Sequence, residues 1–309
     1  MSQEVYNLPK ATIKTMKDYY QHALLNTPQG AVFQAKTKNA SITAYKSGKV
    51  LFQGKNPKEE AMKWQNNLQV NQTTPKIIKK KNNYTPTERL FKSNHIGSDE
   101  AGTGDYFGPI TVACAYVEAT QINELKKIGV KDSKNLSDKT IMQLANAIIT
   151  MGVPYTLLIL HNKKYNELQN QGWSQGKMKT MLHHHAINKL LKKVDNTLLE
   201  GILIDQFCSP DIYKRHLNSE NETIHNNTFF MTKAESASIA VATGSIIARA
   251  SFVKEMNNLS DEMGFTLPKG ASMHVDKTIA RVIKEKGQDT LMDCAKIHFA
   301  NTQKAKQYL

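Results

Sequence analysis

Two adjacent carboxylates, Asp99 and Glu100, stand directly before a glycine-rich turn in HIGSDEAGTGDYFGP, residues 95–109. Alone, such a pair repels phosphate, yet the chain around it carries a formal net charge of +14. A third acid, Asp205, ends the apolar run GILID and is expected at the carboxyl edge of a buried strand. A fourth, Glu235, is expected in the first turn of a long helix of small and apolar residues, 234–259. Each has a plainer explanation. Asp205 suits a turn, and Glu235 suits the positive end of a helix dipole. As a set they suit metal. Unit charges about 4 Å apart repel by roughly 4 kcal/mol at an effective dielectric of about 20, and divalent cations cancel that repulsion. Oxygen ligands favour Mg²⁺ or Mn²⁺, and two such ions can activate water and stabilise the leaving oxygen of a phosphodiester. On this reading the acids hold metal, and the metal meets phosphate. Gly102 and Gly104 then permit close backbone approach, with N–H groups and the Thr103 hydroxyl facing a substrate. The spacing GTGDYFG fits neither a dinucleotide fingerprint nor a P-loop.

The positive charge is unevenly spread. Up to Lys92 there are 16 Lys and Arg against 5 Asp and Glu, whereas the remaining 217 residues carry 25 against 22. So basic a segment implies a polyanionic partner, most commonly nucleic acid, with a solubilising surface as the alternative. Cys114, Cys208 and Cys294 lie too far apart for a paired metal motif and read as reduced thiols. No apolar run reaches the roughly 18 residues of a membrane span, and the N-terminal stretch lacks the apolar core of a secretory signal. A cytoplasmic protein is expected, with no membrane partner and nothing demanding more than a monomer.

These residues need elements to position them. Residues 1–70 read as a small α+β domain: a helix over 11–25, strands over 31–37, 41–46 and 50–54, and a helix over 57–68 with Ala61, Trp64 and Leu68 on one face. The sheet's Lys, Gln, Thr and Tyr residues form an open face for a nucleic-acid backbone, or a merely solvated one. Residues 71–92 are polar, basic and Pro-containing, and are expected to be a linker whose Lys79-Lys80-Lys81 run is a solvated tether or touches phosphate. Residues 93–309 alternate strands (109–117, 154–160, 200–207) with helices (136–149 capped by Ser137, 176–194, 234–259), which implies a mixed α/β domain around a central sheet.

GSDEAGTGDYFGP, VKDSKNLS, GILIDQF, ESASIAVATGSIIARASF and LPKGAS, in that order, resemble the type 2 ribonucleases H and, within them, the ribonuclease HIII branch. The resemblance spans about residues 93–305, and residues 30–54 are similar to the branch's N-terminal domain. It implies a ribonuclease H-like mixed sheet with flanking helices, plus an N-terminal domain similar to the TATA-box-binding protein. It implies endonucleolytic cleavage of the RNA strand of RNA·DNA hybrids with Mg²⁺ or Mn²⁺, two ions per site, leaving 3′-hydroxyl and 5′-phosphate ends. It assigns catalysis and metal binding to Asp99, Glu100, Asp205 and Glu235. Substrate contacts are expected from Ser98, Gly102, Thr103, Gly104, Ser133, Lys134 and Lys177, the glycine turn meeting 2′-hydroxyls. Lys179, near Lys177 at the start of the helix over 176–194, is a further phosphate contact or a solvated side chain. His183, His184 and His185 are consecutive on that helix, so they cannot jointly chelate and are expected to be mixed core and surface residues. Trp64 and Trp173 are expected to pack rather than stack on bases. One departure is informative. Thr103 stands where ribonuclease HII usually has the Arg of Gly-Arg-Gly, which implies a preference for runs of ribonucleotides. Ribonuclease HII-like cleavage at single ribonucleotides, and hybrid binding without catalysis, are the alternatives.

Overall fold

The structure, a computed structural model, describes residues 2–28, 30–65, 84–131 and 136–309. The chain divides into two compact units, Met1–Lys80 and Lys81–Leu309.

The first unit comprises β1 (Ser2–Asn7), α1 (Lys10–Tyr19), β2 (Leu24–Leu25), β3 (Ala31–Lys36), β4 (Ala40–Tyr45), β5 (Lys49–Gly54) and α2 (Pro57–Gln65). Its strands form an antiparallel sheet in the order β1-β5-β4-β3-β2. Ala40, Ile42, Ala44, Val50 and Phe52 turn one face toward a core shared with Ile13, Met16, Ala61 and Trp64. The opposite face sets Gln34 beside Thr43, Thr43 beside Leu51, and Ser41 beside Gln53. Buried Glu60 is held by Tyr20 Oη (2.9 Å), Lys63 Nζ (2.8 Å) and Thr37 Oγ1 (3.2 Å), and Trp64 Nε1 donates to Tyr20 Oη at 2.8 Å. Two expectations change. β1 carries no clear apolar alternation, yet it pairs along its whole length with β5. The helix expected over 11–25 stops at Tyr19, because Leu24 and Leu25 pair with β3 instead. Leu68 and Lys79-Lys80-Lys81 lie outside the described residues.

The second unit comprises β6 (His95–Ala101), β7 (Ile110–Val117), α3 (Ile122–Lys127), α4 (Asp138–Thr150), β8 (Tyr155–Leu160), α5 (Asn162–Asn170), α6 (Gln175–Leu191), β9 (Gly201–Asp205), α7 (Pro210–Asn218), β10 (Thr228–Met231), α8 (Ile239–Met263), α9 (Met273–Lys286), α10 (Leu291–Cys294) and α11 (Asn301–Lys304). The sheet runs β10-β9-β6-β7-β8, parallel across β10, β9 and β6 and antiparallel from β6 to β8. The mixed α/β expectation holds. β7 alternates: Ala113, Ala115 and Val117 pack with α3, α4 and α8, while Val112, Cys114 and Tyr116 pack with α5, α6 and α7. Ser137 caps α4 as expected, accepting from Thr140 N–H. Tyr84 and Leu90, expected in the linker, belong to this unit. The Tyr84 carbonyl accepts from Phe230 N–H at 2.8 Å, and Leu90 packs with Leu203 and Val241. Their apolar side chains cover the sheet, which a solvated tether would not. No helix among the described residues is long and apolar enough to cross a membrane.

Two sets of contacts fix the geometry on which the site depends. At Gly97, α8 lies so close to β6 that a Cβ would run into Val241 N and the Ala240 carbonyl carbon. From the helix side, a Cβ on Gly244 would come 2.9 Å from Ala113 O. The second set clamps the glycine turn. Tyr106 N–H donates to Gly270 O (2.9 Å), Gly108 N–H to Cys294 O (2.9 Å) and Lys296 N–H to Tyr106 O (2.8 Å). The fully buried Lys296 ammonium donates to Asp105 O at 2.8 Å and to Gly108 O. Burial pulls this ammonium from 10.5 down to about 7, with Asp105 only partly opposing.

Gly97→Ala must push α8 off the sheet. It is expected to cost about 3 kcal/mol and to lower Tm by roughly 6–12 °C in a thermal melt. Lys296 gives a pH signature. Below about pH 7 the lysine is charged in both states and its burial cost is constant. Above that, the unfolded chain holds a proton that the native chain lacks, so stability rises with pH until about 10.5. Denaturant titrations should show wild type gaining on Lys296→Met across that window, with a slope on the order of 1 kcal/mol per pH unit. Parallel stability profiles would refute it.

Candidate active site

Strand alternation sends the two neighbouring acids to opposite faces. On β6, Gly97 and Asp99 face α8, whereas Ser98 and Glu100 face α6. Asp99 is 8% exposed, accepts from the Glu100 N–H at 2.7 Å and is bonded by the Ser245 side chain of α8. Burial, then the negative charges of Glu100 and Asp205, push its carboxyl well above the usual range; the two hydrogen bonds oppose this.

Asp205 ends β9, as its place after GILI foretells. β9 runs parallel to β6 with Ser98 opposite Ile204, which brings Asp205 beside Asp99 at the carboxyl ends of both strands. Asp205 Oδ1 accepts from Ala234 N–H at 2.7 Å, tying it to the turn that carries Glu235. Glu235 is buried, but it does not open a long helix. It lies in a single 3₁₀ turn, Ala234–Ser236, entered through Lys233 in a left-handed conformation (φ 57°). Ser238 is the cap of α8 and accepts from Val241 N–H. Ser238 is itself fixed by His95. The His95 Nδ1 must donate to the Ser93 carbonyl (2.8 Å), so its Nε2 accepts from the Ser238 hydroxyl (2.7 Å). Burial holds this imidazole neutral by lowering its proton affinity. Glu235 therefore precedes α8, and its own 3₁₀ turn rather than the first turn of the helix sets its position.

Glu100 is turned toward Lys179 and His183. Lys179 Nζ lies 2.8 Å from its Oε1, and His183 Nε2 donates to its Oε2 at 3.0 Å. Burial would raise this carboxyl, but the His183 hydrogen bond and the charges of His183 and Lys179 outweigh it and hold the carboxyl low. His183 is fully buried, with Nδ1 2.7 Å from Ser98 Oγ and its ring stacked on Phe207. Lys179 Nζ sits 4.1 Å from the centre of the same Phe207 ring. Sequence reasoning missed His183, Lys179 and Ser245 as neighbours of the acids. The available signal was the spacing of Lys179 and His183, four residues apart on one helical face.

The expected substrate contacts fare differently. Ser98 is fully buried and faces His183, so its hydroxyl supports the Glu100 arm and cannot reach a substrate. Gly102 is also interior. With φ +85°, a Cβ there would strike Pro109 O, so glycine is required by packing. Gly104 is exposed with open space around it, and the half-buried Thr103 has its carbonyl held by Gln175 Nε2 at 3.1 Å. Lys177 pairs with Glu220 at 2.5 Å and lies over Trp173. Ser133 and Lys134 lie outside the described residues. His184 is buried and 3.1 Å from Glu222, while His185 is exposed, so the three histidines are mixed core and surface as expected.

The acids supply oxygen donors only, and Asp99 and Asp205 stand side by side at the carboxyl ends of parallel strands. Both properties suit a hard divalent cation. Among the described residues, no three His, Cys, Asp or Glu side chains are gathered as a ready ion cage. Glu100 is turned to Lys179 and His183.

Known proteins resemble this chain over its length. The family model described as Ribonuclease HII matches residues 96–302, and one described as a domain of unknown function (DUF3378) matches residues 3–77. Ribonuclease HIII of Oceanobacillus iheyensis is 57% identical over 309 residues, covering all of both chains. Ribonuclease HIII of Bacillus licheniformis is 50% identical, covering 99% of this chain and 98% of its own. Among solved structures, Bst-RNase HIII in complex with Mn²⁺ superimposes with a TM-score of 0.69 at 41% identity, covering 99% of this chain and 98% of that one. The chain belongs to the ribonuclease HII family and, within it, to ribonuclease HIII.

Proposed function

We propose that Asp99, Glu100, Asp205 and Glu235 bind divalent cations and carry the chemistry of an endonuclease that hydrolyses the RNA strand of RNA·DNA hybrids, leaving 3′-hydroxyl and 5′-phosphate ends. The observation that supports this is the placing of Asp205 beside Asp99 at the carboxyl ends of two parallel strands. Acids set so close are unfavourable for folding alone and favourable for a cation. Bound Mg²⁺ or Mn²⁺, two per site, would polarise the phosphodiester and activate water. The residues of the chain do the rest. Asp99 and Asp205 fix two carboxylates on a rigid sheet edge. Ala234 N–H ties Asp205 to the turn that presents Glu235. His183 orients Glu100 through its Oε2. The exposed backbone at Gly104 and the Thr103 side chain face the ribose 2′-hydroxyls, the groups that distinguish RNA from DNA.

The basic first unit would supply affinity for the hybrid through the face bearing Gln34, Ser41 and Gln53. Thr103 favours runs of ribonucleotides over a single embedded one. We assign the protein to the cytoplasm as a monomer, consistent with three free cysteines.

Asp99→Asn should lower cleavage of a labelled hybrid by roughly a thousandfold, about 4 kcal/mol of barrier, while fluorescence anisotropy shows hybrid binding retained. Full activity in that variant would sink the assignment. EDTA should abolish cleavage and added Mg²⁺ or Mn²⁺ should restore it; a non-catalytic binder shows neither. A duplex with one embedded ribonucleotide, cut as fast as a long hybrid, would instead favour ribonuclease HII-like cleavage. A chain starting at Lys81 should bind hybrid more weakly, its salt slope falling by about one for every phosphate that the first unit neutralises. An unchanged slope would remove the first unit from binding.

A further inference from the structure

Granted the carboxylate site proposed above, we propose that Lys179 is a positioning residue that serves as the resident counter-charge of Glu100, and that a divalent cation must displace it from Oε1 while His183 stays on Oε2. The two partners of Glu100 divide its oxygens: Lys179 takes Oε1 at 2.8 Å and His183 takes Oε2 at 3.0 Å. They differ in the means to move. His183 is fully buried, stacked on Phe207 with ring centres 5.2 Å apart and in contact with Ser98 Oγ at 2.7 Å. Its ring is locked by packing on one side and a hydroxyl on the other. Lys179 keeps 12% of its side chain exposed and ends in a flexible stem. Its ammonium also has a seat besides the carboxylate, the face of the Phe207 ring.

An ammonium and a divalent cation compete for one carboxylate oxygen, and like charges in so dry a corner repel strongly. Lys179 therefore opposes cation binding, whereas His183 assists it by holding the carboxylate in place. The arrangement has a use. The Glu100 side chain is only 11% exposed, and without Lys179 its Oε1 would lose its 2.8 Å ammonium partner in the metal-free fold. The lysine thus trades cation affinity for a stable native state. Two residues on one carboxylate have opposite effects, which a purely structural role for either would not produce.

The test is isothermal titration of Mn²⁺ into chelator-treated full-length protein. Lys179→Met is expected to bind Mn²⁺ about tenfold more tightly than wild type, and Lys179→Arg, which keeps the charge, about as wild type. His183→Ala is expected to bind about tenfold more weakly. The Mn²⁺ concentration for half-maximal cleavage should shift in the same directions. If Lys179→Met misfolds by circular dichroism, Lys179→Gln takes its place. Equal or weaker Mn²⁺ binding by the neutral variant overturns the proposal, as does tighter binding by Lys179→Arg. Asp99→Asn serves as the separate control. Should wild type bind no Mn²⁺, or Asp99→Asn bind it undiminished, the carboxylate site itself is wrong. Should Asp99→Asn lose binding while Lys179→Met is unchanged, only the role of Lys179 falls.

Discussion

The period of two along β6 is the constraint from which the site follows. Consecutive side chains on a strand leave opposite faces, so Asp99 and Glu100 cannot share one environment. Asp99 enters the space under α8, beside Ser245 and Asp205. Glu100 enters the space under α6, beside Lys179 and His183. A single dipeptide thus joins two halves of the site, and the helix on each face chooses the chemistry that its carboxylate meets.

The two helices are held differently. α8 rests on the sheet through bare backbone at Gly97 and Gly244, which leaves no side chain to act as a spacer. Its N-terminus is fixed by a chain of polar contacts running from Ser93 through His95 to Ser238. α6 stands off through larger side chains, Met178, Met181, Ile187 and Leu190 among them. The Asp99 side is accordingly close-packed, and the Glu100 side keeps a lysine that reaches solvent.

Much of this was legible in the sequence, for identifiable reasons. Asp205 was readable because an acid at the end of GILI has no apolar reason to be there. The central sheet and its main helices followed from apolar runs of the right length. β6 was harder to see, since HIGSDEA mixes a histidine, a glycine, a serine and two acids within a strand whose burial comes from partners remote in the chain. Glu235 was placed correctly in the chain but wrongly in the fold. The helical pattern of 234–259 runs through Ser238, and only the capping contact shows that the helix begins after it. The resemblance made Ser98 a substrate contact, yet alternation turns its side chain inward. The Lys179–Glu100 and His183–Glu100 contacts join residues 79 and 83 positions apart, a distance that composition and periodicity do not span.

The clamp on the glycine turn bears on the order in which the molecule is assembled. Lys296 grips the Asp105 carbonyl from 191 residues further along, so the loop nearest the acids closes only when two segments remote in the chain have met. β6, β7 and β9 alone do not supply this contact. The shape of the loop beside the acids therefore rests on a long-range tertiary contact rather than on local turn propensity alone.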